Sequence, residues 1–363
     1  MKLNLFFTFA GLVIAVNSFA QQSIKWNNPL ESKVIQGRVH SAELPNYYRL
    51  PEDLKSQVRS PVWSLGTNSA GLYIDFQTDA EAISVRYKVN GPMNMPHMPT
   101  TGVSGVDLYA QDEKGAWNWA YGNYNFADTV TYQYKALGEN TNFTYRLYLP
   151  LYNTVEWLEI GVAANKQFEF VAGKGNPIVV YGTSIAQGAC ATRPGLAWSN
   201  ILGREIANPV INVAFSGNGR LEQPIIDHIN QVDAAVFILD CIPNLALTND
   251  RTAEQLDSLL ANAVSEIRKK HPVTPIIITE HSSGFNNAIF NLDKNEEYKK
   301  SSAVASAFVN RTKKTGDKQV YLLTNKDIGL DINSTVDYAH PNDIGMKKIA
   351  DAYQKLIHKI VKR

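Results

Sequence analysis

Length, composition and charge set the first limits on this protein. The chain has 363 residues, enough for two domains, and Lys+Arg 35 against Asp+Glu 34 leaves a formal net charge of only +1. That balance argues against a nucleic-acid partner, which needs a basic surface. With 44% hydrophobic and 19% charged residues, the chain can bury ordinary cores, which argues against a disordered chain or a fibre.

The first 20 residues have the pattern of a cleaved secretory signal peptide. Lys2 precedes an apolar run from Leu3 to Val16, and the small-residue stop Ser18-Phe19-Ala20 follows. A membrane anchor is the alternative, but the run is shorter than the about 20 apolar residues that span a bilayer. We therefore expect an exported protein, periplasmic or extracellular, with no membrane insertion.

Residues 21–175 alternate apolar and polar side chains in short runs separated by Gly, Asn and Pro. Period-two alternation with aromatic and β-branched residues is typical of antiparallel strands, and many short strands of this kind favour a β-sandwich domain. The five clearest runs are GLYIDFQ (71–77), AISVRYKV (82–89), GVDLYAQ (105–111), NFTYRLYLP (142–150) and VEWLEIGV (155–162).

Residues 176–363 have a different rhythm, in which apolar strands alternate with helical stretches. The clearest helix is Ala253–Lys270, whose apolar residues recur at helical spacing. Such alternation predicts an α/β fold with a five-stranded parallel sheet flanked by helices, of the flavodoxin-like kind, and the linker Val171–Pro177 separates it from the sandwich. The predicted strands are PIVVYG (177–182), PVINVAF (209–215), AAVFILD (234–240), PIIITE (275–280) and QVYLLT (319–324).

Polar side chains that can catalyse acyl transfer follow the carboxyl ends of these strands, where ligands bind in parallel α/β sheets. Ser184 follows the first strand, at a turn that exposes a nucleophile on the rim of the sheet. His340, in the segment DYAHPND before the last helix, can act as its base. Asp337, three residues earlier, can hold the other ring nitrogen, so the sequence predicts a Ser-His-Asp triad.

An oxyanion hole is predicted at the same edge. We expect the N–H groups of Ser184 and Gly217 and the side-chain amide of Asn244 to face the reacting carbonyl, since Gly217 has no side chain to block its N–H. Each of these residue types also occurs in plain turns, so the prediction depends on separate strand ends supplying complementary roles. The esterase motif G-x-S-x-G is absent, because Ile185 and Ala186 follow Ser184.

Four sequence blocks, YGTSIAQG, AFSGNG, DCIPN and DYAHPND, resemble those of the SGNH (GDSL-type) hydrolase superfamily. The resemblance covers residues 177–363 and implies that Ser184, Gly217, Asn244 and His340 are the four residues of the superfamily's name, with Asp337 as the acid. Gly-Thr-Ser replaces the usual Gly-Asp-Ser, and Cys-Ile-Pro-Asn replaces the usual Gly-x-Asn-Asp. The segment GVSGVDLY (102–109) resembles the sandwich domain that precedes some bacterial SGNH hydrolases, which implies a two-domain esterase.

Three further side chains are predicted to contact substrate. His281, after the fourth strand, is a rival base, but it lacks a carboxylate at the spacing that Asp337 has from His340, and we assign it a substrate-contacting or structural role. His97, in a Met- and Pro-rich loop, can reach over the neighbouring site, and Asn218 follows the oxyanion glycine. The aromatic residues of the first domain are expected mainly in the sandwich core, with a sugar-stacking platform as the alternative.

The chain has two cysteines, Cys190 and Cys241, which follow strands that are neighbours in this fold class. In an oxidising compartment they can form a disulfide, and two buried thiols are the equal alternative. Two cysteines are too few for a zinc site of the cysteine type, and the predicted chemistry requires no metal or organic cofactor.

Together these features predict a secreted serine esterase that removes short acyl groups, such as acetyl, from a carbohydrate through an acyl-enzyme on Ser184. The small or polar residues after Ser184 and Gly217 favour a pocket for a short acyl chain. An acyltransferase that delivers the same acyl group to an alcohol is the first alternative, and a carbohydrate-binding protein with a decayed site is the second. The expected partner is an acylated carbohydrate or another small ester.

Overall fold

Short alternating runs in the first part of the chain form antiparallel strands. The computed structural model describes residues 23–40, 44–138, 143–206, 208–283 and 289–361, and the predicted signal peptide, residues 1–20, lies outside them. The strands are β1 Ile24–Asn27, β2 Tyr73–Thr78, β3 Ile83–Val89, β4 Asp107–Gln111, β5 Trp117–Ala120, β6 Asn123–Asn125, β7 Val130–Tyr134, β8 Thr144–Tyr148, β9 Val155–Ala163 and β10 Phe168–Val171. Two short helices, α1 Ser60–Gly66 and α2 Thr100–Val103, lie between them.

These strands form two sheets that face each other. The described strands have the order β1-β9-β3-β7-β6 in one sheet and β10-β2-β8-β4-β5 in the other. Along β3, buried residues alternate with more exposed ones, as expected when one face of a strand packs inward. Ile74 and Leu108 of one sheet share a buried cluster with Ile83 and Ile160 of the other, which confirms the predicted antiparallel β-sandwich.

Largely apolar strands and amphipathic helices build the second part of the chain. The strands are β11 Ile178–Gly182, β12 Val210–Ala214, β13 Val236–Asp240, β14 Ile276–Thr279 and β15 Val320–Leu323. The helices are α3 Ser184–Gln187, α4 Trp198–Glu205, α5 Gln223–Ile229, α6 Ala253–Lys270, α7 Leu292–Lys314, α8 Asn325–Ile328 and α9 Asp343–Ile360. In the described residues, no helix combines the length and the apolar character needed to cross a membrane.

The five strands β12-β11-β13-β14-β15 pair in parallel in that order, so the predicted five-stranded parallel sheet is confirmed. Every residue of β11, β12 and β13 is buried, as expected for strands covered on both faces. Parallel pairing brings the carboxyl ends of all five strands to one edge of the sheet. The loops that carry Ser184, Gly217 and Asn244 therefore meet at that edge.

Capping side chains set the starts of two long helices. Thr252 and Gln255 form a reciprocal capping box at the start of α6. The Asn342 side chain accepts the Gly345 N–H at 3.1 Å at the start of α9. Because α9 begins only three residues after His340, this cap fixes the end of the loop that carries the predicted base.

The sandwich domain also completes the cores of the α/β domain. Leu50 and Val62 pack into the buried cluster on one face of the parallel sheet. Val103 and Leu151 pack into the cluster on the other face. The exposed residues 172–176 connect β10 to β11. The two domains thus share apolar cores, although a solvent-exposed segment joins them.

Both cysteines are free thiols, and the parallel sheet separates them. Cys190 belongs to the buried cluster on one face of the sheet and Cys241 to the cluster on the other face. A disulfide needs two Cβ atoms that face each other, with Cα atoms at most about 7 Å apart. The geometry therefore decides between the two alternatives in favour of two buried thiols.

Thiol labelling tests this arrangement. We expect alkylation of the denatured but unreduced protein to add two labels per chain, as read by intact mass, because neither thiol is oxidised to a disulfide. Protein reduced before alkylation is the control for complete labelling. A chain that accepts labels only after reduction would show that the cysteines are bridged.

Candidate active site

The predicted nucleophile Ser184 lies at a tight turn between β11 and α3. It is the first residue of α3, and its relative exposure is 6%. Gly182, at the end of β11, is closely packed, since a Cβ there would lie 2.5 Å from the Ala186 Cβ. Glycine permits this close approach because it has no side chain. The turn then places the serine at the carboxyl edge of the sheet.

Ser184, His340 and Asp337 form one hydrogen-bonded chain. The Ser184 Oγ lies 2.8 Å from the His340 Nε2. The His340 Nδ1 lies 2.7 Å from the Asp337 Oδ2, to which it donates. With its Nδ1 proton held by the carboxylate, the ring presents an unprotonated Nε2 to the serine. The structure therefore brings the three predicted triad residues together in the order that acyl transfer requires.

The loop that carries Asp337 holds its carboxyl group as an anion. The second carboxylate oxygen accepts the main-chain N–H groups of Ala339 at 3.2 Å and His340 at 2.8 Å. Burial acts to raise the pKa of Asp337, but the hydrogen bonds from the main chain and ring of His340 outweigh it and hold that pKa below its ordinary value. An ionised Asp337 stabilises His340 when the ring takes up a proton.

Three hydrogen-bond donors are available at the same edge. In the part of the chain that the structure describes, the N–H groups of Ser184 and Gly217 and the side-chain NH₂ of Asn244 donate to no protein acceptor. Gly217 has a φ of +67°, and a Cβ built on it would meet nothing within 4 Å, so this residue borders open space. All three predicted oxyanion donors are therefore free to bind a substrate oxygen.

Hydrogen bonds between loops fix the relative positions of these donors. The Phe215 N–H donates to the Gly182 carbonyl at 3.0 Å. The Gly219 N–H donates to the Asn244 Oδ1 at 3.0 Å. Because the second bond occupies the amide oxygen of Asn244, the NH₂ end of that side chain is the one left for substrate.

Gln187 links the nucleophile helix to the oxyanion loop and to the sandwich domain. Its Oε1 accepts the Ser216 N–H at 3.0 Å, and its Nε2 donates to the Leu151 carbonyl at 3.2 Å. Tyr152 of the sandwich domain donates to the Ser184 carbonyl at 3.3 Å. In the sequence, Gln187 is only one of the small or polar residues that follow Ser184. Its place one helical turn after the nucleophile is the signal that points to this linking role.

Two of the predicted substrate contacts lie beside the triad. The ring of His97 is tilted over that of His340, with centroids 5.8 Å apart, so the sandwich domain reaches the site as predicted for this loop. Asn218 lies next to the oxyanion glycine. Its NH₂ donates to the Ser216 carbonyl at 2.8 Å, and its Oδ1 accepts from Arg59 at 2.7 Å. These bonds hold the Asn218 side chain in the loop.

His281 is an interior residue. It is 3% exposed, and its ring stacks on Tyr298 with centroids 3.5 Å apart. Its Nδ1 accepts the Ser283 N–H at 3.2 Å. These contacts favour the structural one of the two roles considered for His281.

The burial of His281 predicts a loss of stability in acid. Burial, and then the charge of His340, lower the pKa of His281 to about 3, whereas an unfolded histidine titrates near pH 6.5. Below pH 6.5 the histidine of the unfolded chain binds a proton that His281 of the folded chain does not bind. The unfolding free energy therefore falls as the pH is lowered from 6.5 toward 4. The expected slope from this residue is about 1.4 kcal/mol per pH unit.

Denaturant unfolding at pH 7, 6, 5 and 4 measures this slope. His281→Asn, which keeps an acceptor near the Ser283 N–H, should flatten the acid branch of the curve. His358→Asn, at an exposed position on α9, is the matched control and should leave the slope unchanged. Equal slopes for the wild-type protein and His281→Asn would contradict the prediction.

Family models match both parts of the chain. Residues 175–358 match the GDSL-like Lipase/Acylhydrolase family. Residues 24–168 match the family described as the N-terminus of Esterase_SGNH_hydro-type. No curated protein matches the chain.

Solved structures share this two-domain architecture. A protein of Bacteroides ovatus described as a GDSL-like lipase has 30% sequence identity and a TM-score of 0.83, with coverage of 93% of this chain and 98% of that one. Salicylyl-acyltransferase SsfX3 from a tetracycline biosynthetic pathway has 18% identity and a TM-score of 0.76, with coverage of 93% and 99%. A family two carbohydrate esterase from Cellvibrio japonicus has 10% identity and a TM-score of 0.55, with coverage of 94% and 98%. The last two show a shared fold.

The fold and the site define an SGNH-type serine hydrolase. The chain belongs to the GDSL-like lipase/acylhydrolase family, and its sandwich domain is of the type found at the N-terminus of SGNH-type esterases.

Proposed function

We propose that this protein is an exported serine esterase that removes short acyl groups, such as acetyl, from a carbohydrate. The observation that carries the proposal is the hydrogen-bonded chain from Ser184 through His340 to Asp337, with free N–H donors on the adjoining loops. This arrangement supplies a nucleophile, a base, an orienting acid and an oxyanion hole at one edge of the sheet.

Acylation begins with attack of the Ser184 Oγ on the ester carbonyl carbon. As the new C–O bond forms, the His340 Nε2 takes the hydroxyl proton and the negative charge moves to the carbonyl oxygen. The N–H groups of Ser184 and Gly217 and the NH₂ of Asn244 then bind that oxygen. Collapse of the intermediate breaks the ester C–O bond, and His340 gives the proton to the departing sugar oxygen, which leaves as a hydroxyl.

Deacylation repeats these steps with water. His340 removes a proton from the water as its oxygen attacks the acyl carbon, and the same donors bind the second oxyanion. The bond to the Ser184 Oγ then breaks, the serine recovers its proton from His340, and the carboxylic acid leaves. Throughout, Asp337 keeps the imidazole oriented and balances its positive charge.

Loop composition supports a short acyl group. The oxyanion loop consists of Ser216, Gly217, Asn218 and Gly219, none of which offers a large apolar surface. A long acyl chain gains affinity by burying apolar area, about 25 cal/mol per Å², and these residues supply little of it. Acetyl esters should therefore be better substrates than octanoyl esters.

Acyl transfer to an alcohol is the second candidate. The fold shared with salicylyl-acyltransferase SsfX3 motivates it, and the acyl-enzyme on Ser184 serves hydrolysis and transfer equally. The two reactions differ in whether water or an alcohol attacks the acyl-enzyme. Product analysis with a competing alcohol present therefore distinguishes them.

A substrate panel tests the proposed function. The enzyme is assayed on 4-nitrophenyl acetate and octanoate and on acetylated oligosaccharides, with and without an added alcohol. We expect acetate to be preferred, free acetate to be the main product, and the oligosaccharides to be deacetylated. A preference for octanoate, or transfer of most of the acyl group to the alcohol, would contradict the proposal. Inactivity on the chromogenic acetate would indicate a binding protein instead.

Export is the part of the proposal that concerns residues 1–20. We expect the chain expressed in its native cell type to be found outside the cytoplasm with Gln21 as its first residue, because cleavage is expected after Ala20. Cell fractionation and N-terminal sequencing measure this. A cytoplasmic protein that keeps Met1 would contradict it.

A further inference from the structure

A small cavity lies at a corner of the sandwich domain, next to the α/β domain. Strand β5 is at the edge of one sheet and β6 at the edge of the other, and the chain crosses between them at Tyr121 and Gly122. We call this cavity the corner pocket. It has a volume of about 220 Å³ and is lined by Asp107, Trp119, Tyr121, Tyr124, Tyr134 and Arg193, together with Thr101 and Thr192.

Exposed aromatic rings form the rim of the corner pocket. Trp119, Tyr121 and Tyr124 are 48%, 65% and 51% exposed. The rings of Trp119 and Tyr121 meet edge to face, with centroids 6.3 Å apart. Large rings this open to solvent are not part of the sandwich core. Their apolar faces are available to a ligand that is itself partly apolar and partly polar.

The charged residues of the pocket neutralise each other. Asp107 accepts the Trp119 Nε1–H at 2.6 Å, the Arg193 Nη1–H at 2.6 Å and the Gly195 N–H at 2.9 Å. The Arg193 guanidinium also lies 4.3 Å from the centre of the Trp119 ring. This network fixes Trp119 and pairs the two charged side chains in the described lining of the pocket with each other. An ionic ligand would have no counter-charge to gain, so the chemistry favours a neutral ligand.

The lining of the pocket includes a buried hydroxyl without a protein partner among the described residues. Tyr134 is 1% exposed, and its Oη forms no hydrogen bond within the described residues. An unpaired buried hydroxyl costs about 1–3 kcal/mol, and a ligand hydroxyl can supply the missing bond. Rings at the rim and a hydroxyl in the interior together match a ligand with C–H faces and hydroxyl edges, such as a pyranose.

The corner pocket is close to the triad without being part of it. Thr101 on its wall is four residues after His97, whose ring lies over His340, and four residues span at most about 14 Å. Thr192, whose carbonyl accepts the Thr101 hydroxyl at 2.7 Å, donates from its N–H to Asp343 at 2.9 Å, next to the loop that carries the base. The lining of the pocket includes no residue of the triad or of the oxyanion loop, so a ligand that occupies both places must extend beyond the pocket, as a chain of several sugar units does.

We propose that the corner pocket binds one sugar ring of an oligosaccharide or polysaccharide whose acyl group lies at Ser184. The ring stacks on Tyr121 and Trp119, and one of its hydroxyl groups bonds to Tyr134. This inference rests on the proposed function, because it names the substrate of that same site as a multi-unit glycan. The pocket contributes affinity for the glycan and does not touch the reacting atoms.

Binding and turnover measured separately test the proposal. Calorimetry with the Ser184→Ala protein gives the Kd for partly acetylated hexasaccharides of β-1,4-linked xylose, glucose and mannose, and for the corresponding disaccharides. Tyr121→Ala is then added to that protein; the side chain is exposed, so the fold should be retained. Two variants serve as controls. Tyr121→Trp preserves a stacking ring at the same position. Trp157→Ala removes an exposed ring away from the corner pocket, on β9, which is three strands from β6 in its sheet.

We expect at least one hexasaccharide to bind, with a Kd raised about tenfold by Tyr121→Ala and restored by Tyr121→Trp. Trp157→Ala should leave the Kd for the hexasaccharide unchanged, and Tyr121→Ala should leave the Kd for the disaccharides unchanged. With Ser184 intact, the Tyr121→Ala enzyme should hydrolyse 4-nitrophenyl acetate at the wild-type rate. If the hexasaccharides are deacetylated without any dependence on Tyr121, the proposed role of the corner pocket in sugar binding is wrong and the proposed function still holds. An enzyme that cleaves the aryl acetate and deacetylates no carbohydrate would overturn both.

Discussion

Replacement of Ser184 by alanine is expected to reduce kcat for ester hydrolysis by at least about a thousandfold. The change removes the Oγ that lies 2.8 Å from the His340 Nε2, so no acyl-enzyme can form. The residual rate should reflect binding and the oxyanion donors alone. Initial rates on 4-nitrophenyl acetate, with titration to exclude trace wild-type enzyme, measure the loss.

The fold should survive this change. The Ser184 side chain contributes one hydrogen bond at the edge of the sheet, and its loss leaves no large cavity. We expect the thermal midpoint to stay within a few degrees of the wild-type value. Full activity in a normally folded Ser184→Ala protein would remove this residue from the mechanism.

The largest expected effect on stability is that of Arg49→Met. Arg49 is fully buried and donates to four main-chain carbonyls, of Leu65, Asn68, Asn212 and Ala214. Burial lowers its pKa to about 9, so the side chain is still charged at neutral pH. Methionine fills much of the volume but removes all four of these hydrogen bonds, including those to the buried carbonyls of Asn212 and Ala214, and we expect the unfolding free energy to fall by about 3 kcal/mol or more.

Arg49→Met should also affect catalysis, because the Ala214 carbonyl that Arg49 holds at 2.6 Å lies two residues before the oxyanion loop. Activity is measured well below the unfolding transition, so that loss of folded protein does not contribute. Arg86→Met is the matched control, since Arg86 forms a partly exposed ion pair with Glu159 and its loss should cost at most about 1 kcal/mol. If Arg49→Met and Arg86→Met unfold at the same denaturant concentration, the importance assigned to Arg49 is wrong.

Sequence patterns predicted the elements with strong periodicity. The largely apolar strands β11 to β15 and the helix Ala253–Lys270 were recognisable because burial on both faces, or on one helical stripe, leaves a clear pattern. The sandwich strands β1, β5, β6, β7 and β10 were not identified individually. They have three to five residues each, and β6 is exposed along its whole length, so neither alternation nor burial marks it.

The triad was predictable because its members occupy strand ends and Asp337 is only three residues from His340. The hydrogen bonds that hold the loops of the site in place were not predictable from the sequence. Arg49 meets Asn212 across 163 positions of sequence, and nothing local to an arginine indicates such a partner. The same holds for Tyr152 and the Ser184 carbonyl, which meet only because the sandwich domain packs against the carboxyl edge of the parallel sheet. Contacts of this kind follow from the packing of the two domains, which single-sequence periodicity does not encode.

Covalent labelling of the nucleophile tests the central claim most directly. A fluorophosphonate reacts with a serine activated by a neighbouring base, and intact mass followed by peptide mapping locates the modified residue. The mechanism predicts one phosphonyl group per chain on Ser184, no labelling of Ser184→Ala, and greatly slowed labelling of His340→Ala. Stoichiometric labelling of a different residue, or equal labelling of the wild-type and Ser184→Ala proteins, would contradict the mechanism.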